Sequence, residues 1–217
     1  GSLWEGIRHC NVLIENIYNV VDMTEEEMNI WAAEAKFLKA YYHFLLFTYY
    51  GPIPIVDENL PISASDTEVR VKRRTVDESV AYIVETIDEA LIHLPARVLS
   101  SNDLGRIDQV IAKGIKSRVL TYAASPLFNG NSEMYSGFVN EDGEHFFNQS
   151  YDQTKWDLAR EASLDAIVTA IDNGVGMYEF TSAPPNYEDE YEEEEFIQTL
   201  YDLKYSIVDK WNSELIW

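Results

Sequence analysis

Residues 24–54 read TEEEMNIWAAEAKFLKAYYHFLLFTYYGPIP, from Thr24 to Pro54. Thr24 and Glu27 are spaced as a capping box, in which each satisfies a backbone N–H that the first helical turn leaves unpaired. Gly51 allows a left-handed cap and Pro52 cannot continue a helix, so the segment stops there. Between these signals lie about 26 residues, or roughly 40 Å of helix. That length suits a helical array better than a small globule. Met28, Trp31, Ala35, Leu38, Tyr42, Leu45 and Tyr49 fall on one face, and Phe37, Tyr41, Phe44 and Phe47 on another. A helix apolar on two faces is expected between neighbours, with Trp31 and Tyr42 among its core residues.

Working outward, a first helix is predicted from Trp4 to Val20, where Ile7, Cys10, Ile14, Ile17 and Val21 recur at spacings of three and four. The short link to Thr24 predicts an antiparallel hairpin. Downstream, 51–74 reads as an extended loop, with Pro52, Pro54 and Pro61 against helix and a polar stretch from Ser63 to Thr67. Thr75 and Glu78 open the next helix with a second capping box, and Pro95 stops it. Asp108 suits the N-cap of another, lined by Ile111, Ile115, Val119 and Tyr122 and ended by Ser125-Pro126. The two caps lie about one tetratricopeptide period apart. After a long loop at 127–151, a helix is predicted from Asp152 to Asn173. Its stripe of Trp156, Ala159, Ser163, Ala166 and Ala170 would let a partner helix approach closely. A connector from Thr181 to Asn186 leads to a predicted helix over 188–201, while 207–217 has no assignable pattern. The fold class is all-α: stacked antiparallel hairpins (about 4–50, 75–125 and 152–205) in one domain, with long irregular loops.

The chain has 217 residues, 46% of them hydrophobic and 25% charged, which allows a substantial core. Its formal net charge of −22 disfavours nucleic acid and anionic lipid as ligands. Cys10, the single cysteine, sits on an apolar face and is expected to be a buried, inert thiol. No stretch approaches a membrane span. Gly1-Ser2 reads as a remnant of cloning, and the chain as an excised piece of a longer protein.

Candidate chemistry is sparse. His9, His43, His93 and His145 form no zinc-binding spacing, and His43 is expected to pack against aromatic neighbours. The acidic runs Glu188–Glu195 and Glu141–Glu144 lack calcium-loop spacing and read as solvated surface. Thirty-eight acidic residues guarantee carboxylate pairs, so pairing alone does not indicate a glycosidase. There is no Gly-x-Ser-x-Gly elbow and no phosphate-binding loop. No catalytic residue, metal or cofactor is expected. The 127–151 loop is more informative, because a stretch of that length is usually functional. Its Phe128, Tyr135, Phe138, Phe146 and Phe147 are too many all to be core on a sequence reading. Aromatic faces suit apolar C–H surfaces of sugars, and amides suit hydroxyls. Phe128, Asn129, Asn131, Tyr135 and Phe138 are therefore the candidate ligand-binding residues.

Several motifs fall in one order along the chain. Asn11 follows Cys10 in the first helix, as in the pattern I-x-x-x-N-x-x-I. Glu34-Ala35-Lys36-Phe37-Leu38-Lys39-Ala40-Tyr41-Tyr42-His43-Phe44 precedes Tyr49-Tyr50-Gly51-Pro52-Ile53-Pro54. Arg73 to Glu78, Gly105-Arg106 with Ala112 to Ala123, and Asn212-Ser213-Glu214-Leu215-Ile216 follow. Together these resemble the SusD/RagB family over nearly the whole chain. Gly114-Ile115-Lys116 departs from the commoner Ala-Leu-Lys, which puts the packing of that helix in question. The resemblance implies a tetratricopeptide-like helical region of a non-catalytic outer-membrane lipoprotein that binds oligosaccharide at the cell surface. It also implies a TonB-dependent, SusC-like transporter as partner and a lipid anchor on a cysteine other than Cys10, in a preceding region. It assigns no ligand residue to a position here. Two other readings remain: a tetratricopeptide-type adaptor that grips peptides, and an all-α glycosidase.

Overall fold

The computed structural model describes residues 1–181 and 194–217, the side chains of 194–197 excepted. Among these residues there are eight α-helices and no strand: α1 (Ser2–Asn16), α2 (Glu25–Tyr50), α3 (Asp66–Val69), α4 (Val76–Leu91), α5 (Gln109–Ala124), α6 (Ser132–Tyr135), α7 (Gln153–Asp172) and α8 (Glu194–Val208). The capping residues act where the sequence places them. Thr24 with Glu27 and Thr75 with Glu78 form complete capping boxes. Asp108 accepts from Ile111 N–H at 3.0 Å, and α2 stops at Gly51, whose φ is +69°.

Side-chain pairs fix the register. Trp4 meets His43, while Tyr18 donates to Asn29 farther along, so α1 and α2 run antiparallel. Gly6 permits this approach: a Cβ there would lie 2.8 Å from the Tyr42 ring. Lys36 pairs with Glu89 and His43 with Tyr82, setting α2 antiparallel to α4. Lys116 pairs with Asp88, and Gln109 bonds Leu94 O, setting α4 against α5. Ser117 meets Ser163, and Lys113 meets Thr169, setting α5 against α7. The result is an array in the order α1, α2, α4, α5, α7. Phe37, Phe44, Phe47, Ile83, Ile87, Ile111 and Val119 fill its core. Cys10 is buried, and desolvation pushes its thiol up to about 11, as for an inert packed sulfur.

The structure corrects several expectations. Val21 lies beyond the end of α1 and is 97% exposed. Trp31 is 45% exposed, on a side of α2 where the Arg106 guanidinium lies 5.4 Å above its ring. The 51–74 loop contains α3, started by a third capping box of Ser65 and Glu68, and the 127–151 loop contains α6. The expected pairing of α7 with the following helix does not form among the described residues. α7 packs on α5 instead, through Ala159, Ser163 and Ala170. The connector at 182–186 and the acidic run at 188–195 lie outside the described residues, apart from the start of α8 at Glu194. The tail after α8 turns at Asn212, whose Oδ1 accepts from Glu214 and Leu215 N–H. Trp217 then packs against Tyr41 and Phe37, with centroids at 5.1 and 5.9 Å. At Gly114 a methyl group would touch only Ile216, at an ordinary 3.9 Å.

Candidate functional site

The antiparallel register puts the C-terminal ends of α2 and α5 and the N-terminal ends of α4 and α7 at one end of the array. Both long loops therefore meet there. Val76 N–H donates to Phe146 O at 2.9 Å, and Lys72 pairs with Glu141 at 3.0 Å.

The 127–151 loop is pinned at its neck. Asn129 Nδ2 donates to Asp152 O and Asn129 Oδ1 accepts from Asp152 N–H, both at 2.8 Å. Gly130, at φ +79°, crosses so close that a Cβ would lie 2.4 Å from Tyr151 N. Farther out, Asn140 Oδ1 accepts from Asp142 and Glu144 N–H at 3.0 and 2.8 Å, folding the tip into a tight turn. A loop closed at its neck and packed by its own side chains is a compact surface unit.

The loop's rings divide into two sets. Phe128, Phe146 and Phe147 are buried in the main core. Tyr135 stacks on Phe147 at 3.8 Å and is half-buried. Phe138 rests against Phe146 at 4.9 Å and is 37% exposed. Three of the five are thus core, because the loop folds back as a plug over the end of the array, while Tyr135 and Phe138 fit the expectation that not all of them are. Of the candidate residues, Phe128 is 4% and Asn129 5% exposed, and both serve the scaffold. Asn131 caps α6 by accepting from Met134 N–H at 3.2 Å. Tyr135 and Phe138 keep accessible surface.

Residues that the sequence reading assigned elsewhere join them at this end. Tyr49 and Tyr50, in the last turn of α2, expose 72% and 67% of their surface. Tyr151, at the loop's exit, is also exposed. The signal for Tyr49 was its place one residue pair before Gly51-Pro52, where α2 runs past the neighbours that cover its middle.

The histidines supply no metal site, and among the described residues no three His, Cys, Asp or Glu side chains group to hold an ion. His43 is buried, and desolvation lowers its pKa to about 4. Its neutral ring fits both partners: Nδ1–H donates to Lys39 O at 2.8 Å, and Nε2 accepts from Val56 N–H at 3.3 Å. It packs edge-on against Trp4 and Tyr82, as expected.

A sequence profile of the SusD-like family described as starch-binding and associating with the outer membrane matches residues 2–120. The solved structure named BT4246 is 30% identical with a TM-score of 0.87, over 100% of this chain and 39% of its own. A laminarin-binding SusD-like protein is 27% identical with a TM-score of 0.51, over 56% of this chain and 25% of its own. The SusD-like protein BF3747 from Bacteroides fragilis NCTC 9343 is 20% identical with a TM-score of 0.59, over 83% of this chain and 28% of its own, and shows the fold alone. No curated protein sequence matches. The chain spans about two-fifths of the length of BT4246.

Proposed function

We propose, because this chain belongs to the SusD-like family, that it is the helical region of a non-catalytic protein that binds oligosaccharide at the bacterial outer-membrane surface. Family membership and the likeness to a laminarin-binding relative support the ligand class. The observation that carries the site is the meeting of the two long loops at one end of the array, where Tyr49, Tyr50, Phe138 and Tyr151 present rings to solvent.

The mechanism is capture without bond cleavage. Exposed rings cover the apolar C–H faces of sugar units, and amides or carboxylates at the rim bond hydroxyls. Tyr135, Phe138 and Asn131 take part directly, while Phe128 and Asn129 hold the plug in place. A lipid anchor keeps the parent protein at the surface, and it hands its glycan to a TonB-dependent, SusC-like transporter. The rigid helical array offers the docking surface for that partner.

The test is calorimetry of the full-length parent with the oligosaccharides that a glycan array selects. Phe138→Ala combined with Tyr151→Ala is expected to weaken binding at least tenfold with the fold intact. Unchanged affinity would remove this end as the site. Sustained hydrolysis of the bound oligosaccharide would replace capture with catalysis.

A further inference from the structure

Residues 55–60, near the start of the 51–74 loop, form a strap across α1, α2 and α4. Among the described residues no backbone–backbone hydrogen bond holds it. Side chains hold its backbone instead. Val56 N–H donates to His43 Nε2 at 3.3 Å, and Val56 O accepts from Asn11 Nδ2 at 3.4 Å. Asp57 O accepts from Lys39 Nζ at 3.0 Å, and Asn59 N–H donates to Glu15 Oε1 at 3.1 Å. The Asp57 carboxylate adds bonds from Lys39 Nζ at 2.9 Å and from the Tyr82 hydroxyl at 2.8 Å. His43 is the member of this set whose ordinary titration lies nearest neutrality. Its Nδ1 faces Lys39 O and carries the proton, while its Nε2 faces an N–H and must stay bare. A proton at Nε2 would set two donors head to head.

The surroundings oppose that proton while the strap is closed. The ring is fully buried. Lys39 stands beside it on α2, the Tyr82 ring on α4 and Asp57 on the strap. From α1 come the Trp4 ring and, within reach of Lys39, the Cys10 thiol. Desolvation and the Lys39 ammonium outweigh Asp57 and keep the imidazole neutral, with its pKa lowered to about 4. Desolvation of Asp57 is overcome by the bonds from Lys39 and Tyr82, which hold it below its ordinary value, so it stays charged while His43 titrates. Glu15, Lys36, Glu58, Glu85 and Glu89 lie farther out, in the open cleft beside the strap.

We propose that the strap is an acid-released latch: a proton taken up at His43 Nε2 breaks the bond to Val56 and frees residues 55–60 from the array while the helices stay folded. Lifting the strap hydrates the ring and returns it toward its ordinary titration, so opening is driven by proton uptake and costs no helical hydrogen bond. This device goes beyond the oligosaccharide reading and does not depend on it. The experiment is amide hydrogen exchange on this chain at pH 7, 6 and 5, corrected for intrinsic rates. That window lies above the ordinary carboxylate range and above the pI of about 4.3. Between pH 7 and 5 the protection of Val56 N–H is expected to fall about twentyfold, from a His43 pKa of about 4 closed and 6.5 open. Protection at Ile111 and Asp152, far from the strap, should hold. His43→Gln offers Val56 an acceptor that gains no proton and retains His9, His93 and His145, so its Val56 protection should not change with pH. Unchanged Val56 protection in the wild type, an equal fall at Ile111 and Asp152, or the same fall in His43→Gln would overturn the proposal. Should His43→Gln fail to fold, the wild-type series decides: the fall must steepen toward tenfold per pH unit, the slope of one proton, and a flat series sinks the latch.

Discussion

Arg106 grips Glu34 with two parallel hydrogen bonds, Nε to Oε1 at 3.0 Å and Nη2 to Oε2 at 3.2 Å, across 72 residues of chain. The pair ties the middle of α2 to the turn before α5, and the same guanidinium covers the Trp31 ring. A forked guanidinium–carboxylate contact is geometrically demanding, and lysine cannot reproduce it. Arg106→Lys is therefore expected to lower stability by about 1 kcal/mol, a figure discounted for partial exposure. Removing the exposed Arg160–Glu161 pair, at 3.7 Å, should change nothing measurable. Urea unfolding followed by tryptophan fluorescence checks both.

Stability should rise with pH between about 4 and 6.5 through His43. Its folded pKa, near 4, lies below the ordinary 6.5, so the unfolded chain takes up a proton that the folded one refuses. The contribution is complete above pH 6.5 and is lost as pH falls toward 4, with a limit of about 3 kcal/mol. Comparing denaturation midpoints of the wild type and His43→Gln at pH 7 and pH 4.5 isolates it. The variant should lose less on acidification than the wild type, and equal losses would mean that another group carries the dependence.

Phe147 and Phe138 are neighbours in the same loop but should behave oppositely. Phe147 is buried between Tyr135, Phe128 and the turn at Gly51, so Phe147→Ala should cost about 3–5 kcal/mol. Phe138→Ala leaves no sealed cavity, because the ring is partly in solvent, and should cost about 1 kcal/mol or less. Thermal melts separate the two.

Gly130→Ala should open the neck of the loop. The left-handed φ and the 2.4 Å approach to Tyr151 N leave no room for a methyl group. The expected loss is about 2 kcal/mol or more, with faster hydrogen exchange at Asp152 N–H, which donates to Asn129. Unaltered exchange there would show that the neck is not held by this crossing.

Helix identity was legible because its signals are local. A capping box needs two residues three apart, and Thr24, Thr75 and Asp108 act as caps where their spacing puts them. The stripe of Ala159, Ser163 and Ala170 announced a close partner, yet it could not name that partner as α5. Ser65 and Glu68 carry the same capping signal, but the box opens only one turn of helix, and Pro52, Pro54 and Pro61 before it weigh against helix in the segment.

The candidate site was legible only as a region. Composition marked 127–151 as aromatic, but it could not divide Phe128 and Phe147 from Phe138, since all are alike until the loop folds back on itself. Asn129 looked like a ligand amide and is the latch of the neck.

The caps of α2, α4 and α5, the all-α class and the family resemblance came from the amino-acid sequence alone, because capping, periodicity and proline punctuation act over a few residues. Which rings stay in solvent, which loop amide latches the neck, and which helix receives α7 came only from the tertiary structure. Those properties depend on contacts between segments tens of residues apart, and burial is a property of the assembled neighbourhood rather than of the residue.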